Sequence, residues 1–385
     1  MIHRVVGAGQ APLAVLQLAH EGHRLAYVRA LLDSAETPGP VLVLLTEQGL
    51  ASREAQVHLG RAAATGAARL HSVGSANEPT TTLVRRALDM VDGSWSLAVP
   101  DADRMLAALA ARSGRGDRPR LCLLLMRTAG IPRARPGIRE LLTAGRATGV
   151  QSAKKALLLL LRRRWPEVRV GFLTDSWSIV TERAGFAGVV PVPDPRPRLP
   201  EVSRRRSRAA FGIDGGAFVL GLLGDVTARK HPLLTLDAVP SLPPEVLVLV
   251  AGRTDAAADR RLAELAADPT TAHRVLRRPG YLTDEELAGC LAACDALVLS
   301  YDTDAPSGML ALAQGYGVPV IAAGSPWVRT LVERLDAGIV TDLSTAGVVR
   351  AAGRLRTQPP VRAAPDPGRY RAAGPREFTR ALLGD

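Results

Sequence analysis

The sequence predicts an α/β protein built from two doubly wound domains. Short apolar runs alternate with amphipathic stretches along the whole chain, which is the pattern of parallel strands whose two faces are covered by helices. A proline-rich segment, Val190–Pro197, interrupts the alternation, and a second series of apolar runs begins after it. The chain has 385 residues, which is too long for one typical core and suits two domains of ordinary size.

The first half contains clear strand patterns with helical patterns between them. The strands are predicted at Ala14–Leu18, Val41–Leu45, Leu121–Met126 and Val168–Leu173, and the helices at Arg24–Ser34, Arg104–Arg112 and Ala153–Arg164. The last helix contains consecutive leucines at residues 157–161, which cover all sides of a helix and therefore favour burial against the sheet. Because this helix is basic at both ends and Trp165 follows it, peripheral contact with an anionic membrane is an alternative.

The proline-rich segment marks the predicted boundary between the domains. Proline lacks a backbone N–H, so Val190–Pro197 is predicted to be a stiff linker that cannot join a sheet ladder. A charged helix, Glu201–Ala210, follows it. We therefore predict a first domain at residues 1–190, a linker and connecting helix at 191–212, a second domain at 213–355, and a proline-rich tail with a terminal helix at 356–385.

The second half repeats the α/β alternation. Its strands are predicted at Phe218–Leu223, Val246–Val250, Ala296–Ser300 and Val318–Ala322, and its helices at Pro232–Val239, Asp259–Leu265, Asp284–Ala293 and Met309–Gly315, with a terminal helix at Arg376–Leu383. This order is that of a second doubly wound, Rossmann-like unit.

Charge and cysteine content narrow the classes of function. The formal net charge is +12, but no basic stretch carries interleaved aromatic residues for stacking bases. The charge therefore indicates phosphorylated small molecules or an anionic membrane more than nucleic acid. Three cysteines, Cys122, Cys290 and Cys294, cannot build a disulfide framework and are predicted to be core residues of a protein in the reducing cytoplasm. Neither a signal-peptide pattern nor a run long enough to span a membrane is present.

The turn after Phe218–Leu223 carries the first candidate site residues. Ligands of doubly wound sheets bind beyond the carboxyl ends of the strands. Here Gly224 lets the backbone pass close to a ligand, and Arg229 and Lys230 stand just before Pro232, a favoured first residue of a helix. We predict that Lys230 neutralises a bound phosphate; a solvated Arg–Lys pair is the alternative.

The turn after Ala296–Ser300 leads into a helix that Ser307 and Gly308 open. The first backbone N–H groups of a helix lack partners within it, and together with the helix dipole they attract anions. The amides of Ser307, Gly308 and Met309 are therefore predicted to bind the same phosphate as Lys230. Ser307 can also serve as an N-cap, which is compatible with anion binding.

Five segments of the second half follow one another in a familiar order. They are Leu222–Gly224 with Arg229 and Lys230, Val248–Gly252, Gly280–Leu287, Cys294–Ser300, and Ser307–Met309 with Gly317–Val320. This series resembles the nucleotide-binding domain of the retaining GT-B glycosyltransferases of family 4 (glycosyltransferase group 1), over about residues 215–350. The resemblance implies two Rossmann-like domains facing across a cleft, a nucleoside-diphosphate sugar as donor substrate, and no other cofactor.

The resemblance also implies a mechanism. The diphosphate that leaves the sugar gains negative charge in the transition state, and Lys230 with the amides of Ser307–Met309 would bind that charge more tightly as it develops. No metal is then required. The configuration of the transferred sugar would be retained, and the leaving phosphate would help to deprotonate the acceptor.

Two further loops complete the expected site. The turn Gly280–Asp284 is predicted to place the backbone of Tyr281 and Leu282 against the nucleotide base. In the first half, Gly22 and His23 match a glycine-containing loop that the family places beneath the donor phosphates and the acceptor. His23 is predicted to orient the acceptor hydroxyl or to contact the phosphate; a surface histidine beside a helix start is the alternative.

Two positions depart from the family pattern. The family has paired glutamates eight residues apart, and this chain has Asp304 and Leu312 there. The second glutamate normally accepts hydrogen bonds from the ribose, which leucine cannot do. The family's arginine beside the first glycine is Asp225 here, so Arg229 or Arg253 is expected to assist Lys230.

Two Asp-x-Asp triplets, residues 101–103 and 302–304, are compatible with a divalent metal site of the GT-A type. We predict no metal site, because the order of elements is not that of GT-A transferases. Asp101 is predicted instead to cap the helix that begins near Arg104.

The sequence therefore predicts a cytoplasmic hexosyltransferase of the GT-B fold that is independent of metal. It would transfer a sugar from a nucleoside diphosphate to a small-molecule, glycan or lipid-linked acceptor. A non-catalytic sugar-nucleotide-binding scaffold of the same fold is an alternative, motivated by Leu312 and Asp225. A nucleic-acid-binding protein is a third hypothesis, motivated by charge alone.

Overall fold

The computed structural model describes residues 11–21, 24–37, 39–111, 117–126, 156–174, 189–195, 199–301, 307–358 and 374–384. The chain divides into two compact units, Met1–Pro195 together with Ala372–Asp385, and Arg196–Arg371. The division falls inside the predicted linker and connecting helix, residues 191–212, and the terminal helix belongs to the first unit. Within the described residues, no helix is both long and apolar enough to cross a membrane.

The first unit contains a parallel sheet of seven strands among its described residues, in the order β3-β2-β1-β4-β5-β6-β7. The strands are β1 Leu13–Gln17, β2 Val41–Leu45, β3 Ala68–Ser72, β4 Ser96–Val99, β5 Arg120–Leu125, β6 Arg169–Thr174 and β7 Val189–Pro193. The helices are α1 Arg24–Leu32, α2 Glu47–Ala51, α3 Arg53–Ala64, α4 Thr80–Asp89, α5 Leu106–Ala111, α6 at residues 156–164, and the terminal helix Pro375–Leu383.

Central strands of this sheet are apolar throughout because both of their faces are covered. All five residues of β1 and all five of β2 are buried, as expected of parallel strands between two helical layers. The terminal helix closes one layer, with Phe378 and Leu382 completely buried and the Phe378 ring centred 5.8 Å from that of Tyr27.

The prediction that the proline-rich segment cannot join a ladder is wrong for its first residues. β7 pairs in parallel with β6, from Val189 beside Val170 to Pro193 beside Thr174. It is the last strand of the sheet, and edge strands tolerate proline on the side that has no neighbour. Pro191 and Pro193 are two residues apart, so their nitrogens point to the same side of the strand.

The leucine run of α6 is only partly buried, so the predicted burial against the sheet holds for part of the run. Leu158 and Leu161 are buried, whereas Leu159 is 65% exposed and Leu160 37% exposed. Trp165 is also buried, and the Arg118 guanidinium lies 4.9 Å from the centre of its ring. Trp165 therefore does not stand at the surface, as the membrane alternative required.

The second unit contains a parallel sheet of six strands among its described residues, in the order β10-β9-β8-β11-β12-β13. The strands are β8 Phe218–Leu223, β9 Val246–Gly252, β10 Val275–Pro279, β11 Ala296–Tyr301, β12 Val320–Gly324 and β13 Gly338–Thr341. The helices are α7 Arg204–Ala210, α8 Pro232–Leu236, α9 Ala256–Ala267, α10 Asp284–Ala293, α11 Gly308–Gly315, α12 Pro326–Arg334 and α13 Thr345–Thr357; the terminal helix of the first unit is α14.

Local sequence signals account for the helix starts in the second unit. Asp255, Ser307 and Ser325 each cap a helix through the side-chain oxygen, and Thr283 with Glu286 forms a capping box at the start of α10. The three cysteines are free and buried, which confirms the prediction that they are core residues.

Candidate functional site

The order of strands in the second unit determines where a ligand can bind. The chain runs from β8 outward to β9 and β10, and then returns to place β11 on the other side of β8. Helices from the two halves cover opposite faces of such a sheet, and a crevice opens between them at the carboxyl ends of the two central strands. These ends are Leu223 and Tyr301, so the loops that follow β8 and β11 border the crevice.

Lys230 lies in the loop after β8 and turns back toward the end of that strand. Ala228–Lys230 forms a single 3₁₀ turn directly before α8. The Lys230 ammonium donates a hydrogen bond to the backbone oxygen of Leu223 at 2.9 Å. The Ser300 hydroxyl, on β11, donates to the backbone oxygen of Lys230 at 2.7 Å. Contacts from both central strands therefore hold Lys230 at the switch point.

The environment of Lys230 makes its charge unusually easy to lose. Burial is the main cause that lowers the pKa of Lys230 from 10.5 to about 8, and the positive charge of Arg229 lowers the pKa further, while Asp225 opposes the change. Lys230 as a whole residue is half-buried, and burial of its ammonium group is what lowers the pKa. Among the described residues its hydrogen-bond acceptor is a carbonyl oxygen, and a desolvated cation held in this way is well suited to bind an incoming anion.

The Met309 side chain, from the first turn of α11, lies beside the same glycine as the Lys230 ammonium. A Cβ placed on Gly224 would lie 3.4 Å from Lys230 Nζ and 3.8 Å from Met309 Sδ. Ser307 Oγ accepts a hydrogen bond from the amide of Leu310 at 3.3 Å, which confirms Ser307 as the N-cap. The amides of the first turn lack partners within a helix, so Gly308 and Met309 offer donors and a positive dipole end on the helix whose Met309 side chain reaches the glycine beside Lys230.

Two glycines allow the backbone to fold tightly at this point. Gly224 has φ 84°, and Gly252, at the end of β9, has φ 128°. Both values lie in the region that favours glycine. A Cβ on Gly252 would lie 1.9 Å from the backbone oxygen of Gly224, so any larger residue there would push the Gly224 loop out of place.

The arginines of the site stand over tyrosine rings. The Arg229 guanidinium is 5.5 Å from the centre of the Tyr301 ring, and that of Arg253 is 5.9 Å from the Tyr281 ring. Such cation–π contacts keep guanidinium groups in a defined place. Arg253 also pairs with Asp225 at 2.9 Å, so the two residues in the loops after β8 and β9 are linked.

The two departures from the family pattern have structural consequences of different kinds. Asp225, at the position where the resemblance to family 4 leads one to expect an arginine, orients Arg253 through their ion pair. Leu312 is half-buried and packs against the hydrophobic cluster beneath α11, as Leu282 and Met309 also do. The side chains of Leu282 and Met309 therefore contribute packing, and their predicted contacts with a ligand depend on the backbone.

Three predicted site residues, Gly22, His23 and Asp304, lie outside the described residues. Among the residues that are described, the structure brings together Gly224, Lys230, Arg229, Ser307, Gly308 and Met309 around the ends of β8 and β11. The Gly280 amide donates to the backbone oxygen of Gly252 at 3.2 Å, which brings the turn with Tyr281 next to the loop with Arg253.

The first Asp-x-Asp triplet has structural partners. Asp101 pairs with Arg24 at 2.6 Å and makes no side-chain capping bond, so the prediction that it caps a helix is wrong. Asp103 accepts a hydrogen bond from the amide of Met126 at 2.6 Å. Within the described part of the chain, no group of three or more His, Cys, Asp or Glu residues could hold a metal ion.

Tyr301 is a site residue that the sequence analysis did not identify. It is buried at the end of β11, and its hydroxyl lies 3.1 Å from Ser307 Oγ. Its ring makes the cation–π contact with the Arg229 guanidinium. Tyr301 therefore links the loop after β8 to the start of α11. Two residues with hydroxyl groups, Ser300 and Tyr301, at the end of an otherwise aliphatic strand were the signal available in the sequence.

Comparison with solved structures assigns the fold. The chain is similar to the Anabaena protein HepE in complex with UDP-glucose, with 15% identity over 96% of this chain and 95% of that chain and a TM-score of 0.63. It is similar to WaaG, a glycosyltransferase of lipopolysaccharide biosynthesis, with 15% identity over 97% of this chain and 100% of that chain and a TM-score of 0.64. It is also similar to sucrose-phosphate synthase from Thermosynechococcus elongatus, with 14% identity over 97% of this chain and 95% of that chain and a TM-score of 0.61.

Comparisons of sequence alone identify no relative. No family model matches the chain, and no curated protein matches it. At 14–15% identity the structural likeness establishes the fold and leaves the activity to be argued from the site. The chain has the GT-B fold, with two Rossmann-like α/β units.

Proposed function

We propose that this protein is a glycosyltransferase that uses a nucleoside-diphosphate sugar as donor. The observation that carries the proposal is the convergence on Gly224 of the Lys230 ammonium and the Met309 side chain, which comes from the first turn of α11, at the switch point of a Rossmann-like sheet. A lysine and a helix N-terminus at one point form a site for a group with two negative phosphates. The structural neighbour HepE was solved with UDP and with UDP-glucose, which supports a donor of this type.

The site would act on the leaving group of the transfer. When the bond between the sugar and the diphosphate breaks, negative charge grows on the diphosphate oxygens, and preorganised donors lower the energy of that state. Lys230 is held by contacts to β8 and β11, so it needs little reorganisation to bind this charge. One donor of this kind contributes on the order of 3 kcal/mol, or a few hundredfold in rate.

The finer features of the proposal follow the resemblance stated above. We propose membership of family 4, transfer of a hexose with retention, and no metal requirement. The acceptor is a small-molecule, glycan or lipid-linked hydroxyl, and the protein acts in the cytoplasm. Uracil is the proposed base, because the neighbour HepE binds UDP.

The proposal is tested by exchanging Lys230 for alanine and measuring sugar transfer from a panel of UDP-, GDP- and dTDP-sugars by mass spectrometry. We expect turnover to fall by at least a hundredfold while the circular dichroism spectrum is unchanged. Arg260→Ala is the matched control, because Arg260 is an exposed cation on the outer face of α9 and its loss should leave turnover unchanged. Equal turnover of the Lys230 variant and the wild type would contradict the proposal.

A thermal-shift screen separates the transferase from the other hypotheses. A ligand at a hundred times its dissociation constant stabilises the folded state by about 2.7 kcal/mol, so a nucleoside diphosphate should raise the melting temperature. Stabilisation by UDP without transfer from any donor would indicate a non-catalytic scaffold. Stabilisation by polyanions alone, lost with added salt, would indicate a nucleic-acid-binding protein.

A further inference from the structure

The turn that carries Lys230, residues 228–231, contains a strained backbone position. His231 has φ 43° and ψ 50°, which lies in the left-handed region. There the Cβ of a residue other than glycine crowds its own backbone, so such a conformation persists only where surrounding contacts impose it. Pro232, the first residue of α8, disfavours the ordinary helical conformation for the residue before it. The chain therefore bends sharply at His231, directly after Lys230.

Two hydrogen bonds from neighbouring elements hold the Lys230 turn. At its start, the Ala228 amide donates to Asp255 Oδ2 at 2.6 Å, and Asp255 is itself fixed as the N-cap of α9. At its end, the Ser300 hydroxyl of β11 donates to the Lys230 backbone oxygen at 2.7 Å. Ser300 is 1% exposed, and its partner lies 70 positions away in the sequence. Tertiary contacts therefore impose the strained conformation on the turn.

The Ser300 contact also determines where the Lys230 side chain lies. Ser300 bonds the carbonyl group of Lys230, and the ammonium of the same residue donates to the backbone oxygen of Leu223 at 2.9 Å. The two ends of Lys230 are thus bonded to β11 and β8. Without the Ser300 hydroxyl, the peptide between Lys230 and His231 loses a restraint and can rotate to relieve the strain at His231. Such a rotation withdraws the ammonium from its buried position.

We propose that Ser300 is a positioning residue, which keeps the Lys230 ammonium at the carboxyl end of β8 by holding the strained Lys230 turn together with Asp255. Ser300 acts through the backbone of Lys230 and needs no contact with a ligand. The position of Lys230 depends on contacts within the second unit alone. The consequence for donor binding rests on the function proposed above.

The position of the Lys230 ammonium is measurable without any ligand. The chain contains only three lysines, Lys154, Lys155 and Lys230, so ¹³C-lysine labelling gives three side-chain NMR signals, of which the Lys230→Met variant identifies one. In Ser300→Ala the released ammonium regains hydration. We therefore expect the pKa of Lys230 to rise from about 8 toward 10.5 in this variant. An unchanged pKa of Lys230 would overturn the proposal.

Thr271→Val is the matched control for Ser300→Ala. Thr271 is 2% exposed, and its hydroxyl donates to the backbone oxygen of Leu265 at 2.8 Å, so each variant loses a buried hydroxyl bonded to a carbonyl group. Thr271 lies between α9 and β10, at the amino end of the strand. Both variants should lose similar stability in thermal unfolding, and only Ser300→Ala should change the pKa of Lys230. An equal rise in both would indicate general loosening of the unit and would contradict a positioning role.

Asp255→Asn is a second perturbation, at the other end of the Lys230 turn, and keeps the test decisive if Ser300→Ala folds poorly. Asparagine retains one oxygen to cap α9 and places an NH₂ group, which cannot accept a hydrogen bond, where the other oxygen stood. The Ala228 amide then loses its partner, so the pKa of Lys230 should rise in this variant as well. A pKa of Lys230 that stays at the wild-type value in Asp255→Asn would remove Asp255 from the proposal.

The role of strain is tested by His231→Gly, alone and combined with Ser300→Ala. Glycine adopts a positive φ without steric cost, so the single variant should leave the pKa of Lys230 near its wild-type value. In the double variant, rotation of the turn no longer relieves strain, so the rise in the pKa of Lys230 should be smaller than in Ser300→Ala alone. An equal rise in the two backgrounds would show that relief of strain is not what moves Lys230.

The consequence for donor binding is measured by calorimetry with UDP at pH 7. Ser300→Ala should weaken UDP binding about tenfold, and Thr271→Val should leave it unchanged. A wild type that does not bind UDP would contradict the proposed function, and the lysine titration would still decide whether Ser300 positions Lys230. A Ser300→Ala protein that binds UDP as tightly as the wild type would show that Ser300 has no role in donor binding.

Discussion

Replacing Lys230 with methionine is expected to stabilise the protein and to abolish donor binding at the same time. Burial of the ammonium disfavours its charged form, and the pKa of Lys230 is lowered from 10.5 to about 8. Methionine keeps a flexible apolar stem of similar length and removes the buried charge. The same charge is what the diphosphate requires, so stability and function are opposed at this residue.

The lowered pKa of Lys230 determines how much the methionine variant should be stabilised. A change from 10.5 to about 8 corresponds to about 3 kcal/mol, at about 1.4 kcal/mol for each tenfold change. The hydrogen bond from the ammonium to Leu223 contributes about 1 kcal/mol in the opposite direction. The free energy of unfolding of the Lys230→Met variant should therefore exceed that of the wild type by about 2 kcal/mol at pH 7. For a domain of this size, this corresponds to an increase of about 4–8 °C in the melting temperature.

The extra stability of the methionine variant over the wild type should decrease as the pH rises. Below pH 8 the folded wild type carries the charged Lys230 at full cost. Between about pH 8 and 10.5 the folded protein has released the proton while the unfolded chain retains it, so wild-type stability recovers as the pH rises through this window. The difference between variant and wild type should therefore be largest near pH 7 and small above pH 10.

Thermal unfolding of both proteins at pH 7, 8.5 and 10, followed by circular dichroism, provides the assay. Arg260→Met is the matched control and should change the melting temperature by less than about 1 °C. UDP affinity, measured by calorimetry at pH 7, should fall by on the order of a hundredfold in the Lys230 variant. A Lys230→Met protein that melts below the wild type at pH 7, or a gain that does not shrink with pH, would refute the argument from burial.

Further substitutions test the other residues of the donor site. Tyr301→Phe removes the contact to Ser307 and should cost about 1 kcal/mol in unfolding free energy and a few-fold in UDP affinity by calorimetry; unchanged values would show that the hydroxyl does not position α11. Asp225→Asn should remove a negative charge from the site and tighten UDP binding several-fold. Loss of its half-exposed ion pair with Arg253 should lower the free energy of unfolding by less than about 1 kcal/mol. Weaker UDP binding would show that the orientation of Arg253 by Asp225 matters more than the negative charge. Leu312→Glu should cost about 1–2 kcal/mol by placing a carboxylate in a packed position and should tighten UDP binding about tenfold if the glutamate reaches the ribose; no gain in affinity would mean that it does not.

Long apolar runs made the central strands predictable, and edge strands were harder to identify. β2 and β8 begin and end where the sequence predicts, because both faces of each strand are covered and every residue is apolar or glycine. β10 has exposed arginines in its second half, β13 is only half-buried, and β7 contains two prolines. Strands at or near an edge need fewer apolar residues and fewer backbone hydrogen bonds, so they lack the signal on which the prediction depended.

The candidate site was predictable to the extent that it depends on chain order. The positions of Lys230 and Ser307 follow from two strand-to-helix turns at a switch point. The role of Tyr301 depends on distances between two loops, and the ion pair of Asp225 with Arg253 joins residues 28 positions apart. Neither contact is visible in a single sequence, because each is determined by tertiary packing.

A structure of the protein with UDP bound would test the central claim most directly. The distance of interest joins Lys230 Nζ to the nearest diphosphate oxygen. We predict about 3 Å, a direct hydrogen bond, with the amides at the start of α11 pointing at the same diphosphate. A diphosphate held elsewhere, with the Lys230 ammonium still bonded only to Leu223, would contradict the proposed function.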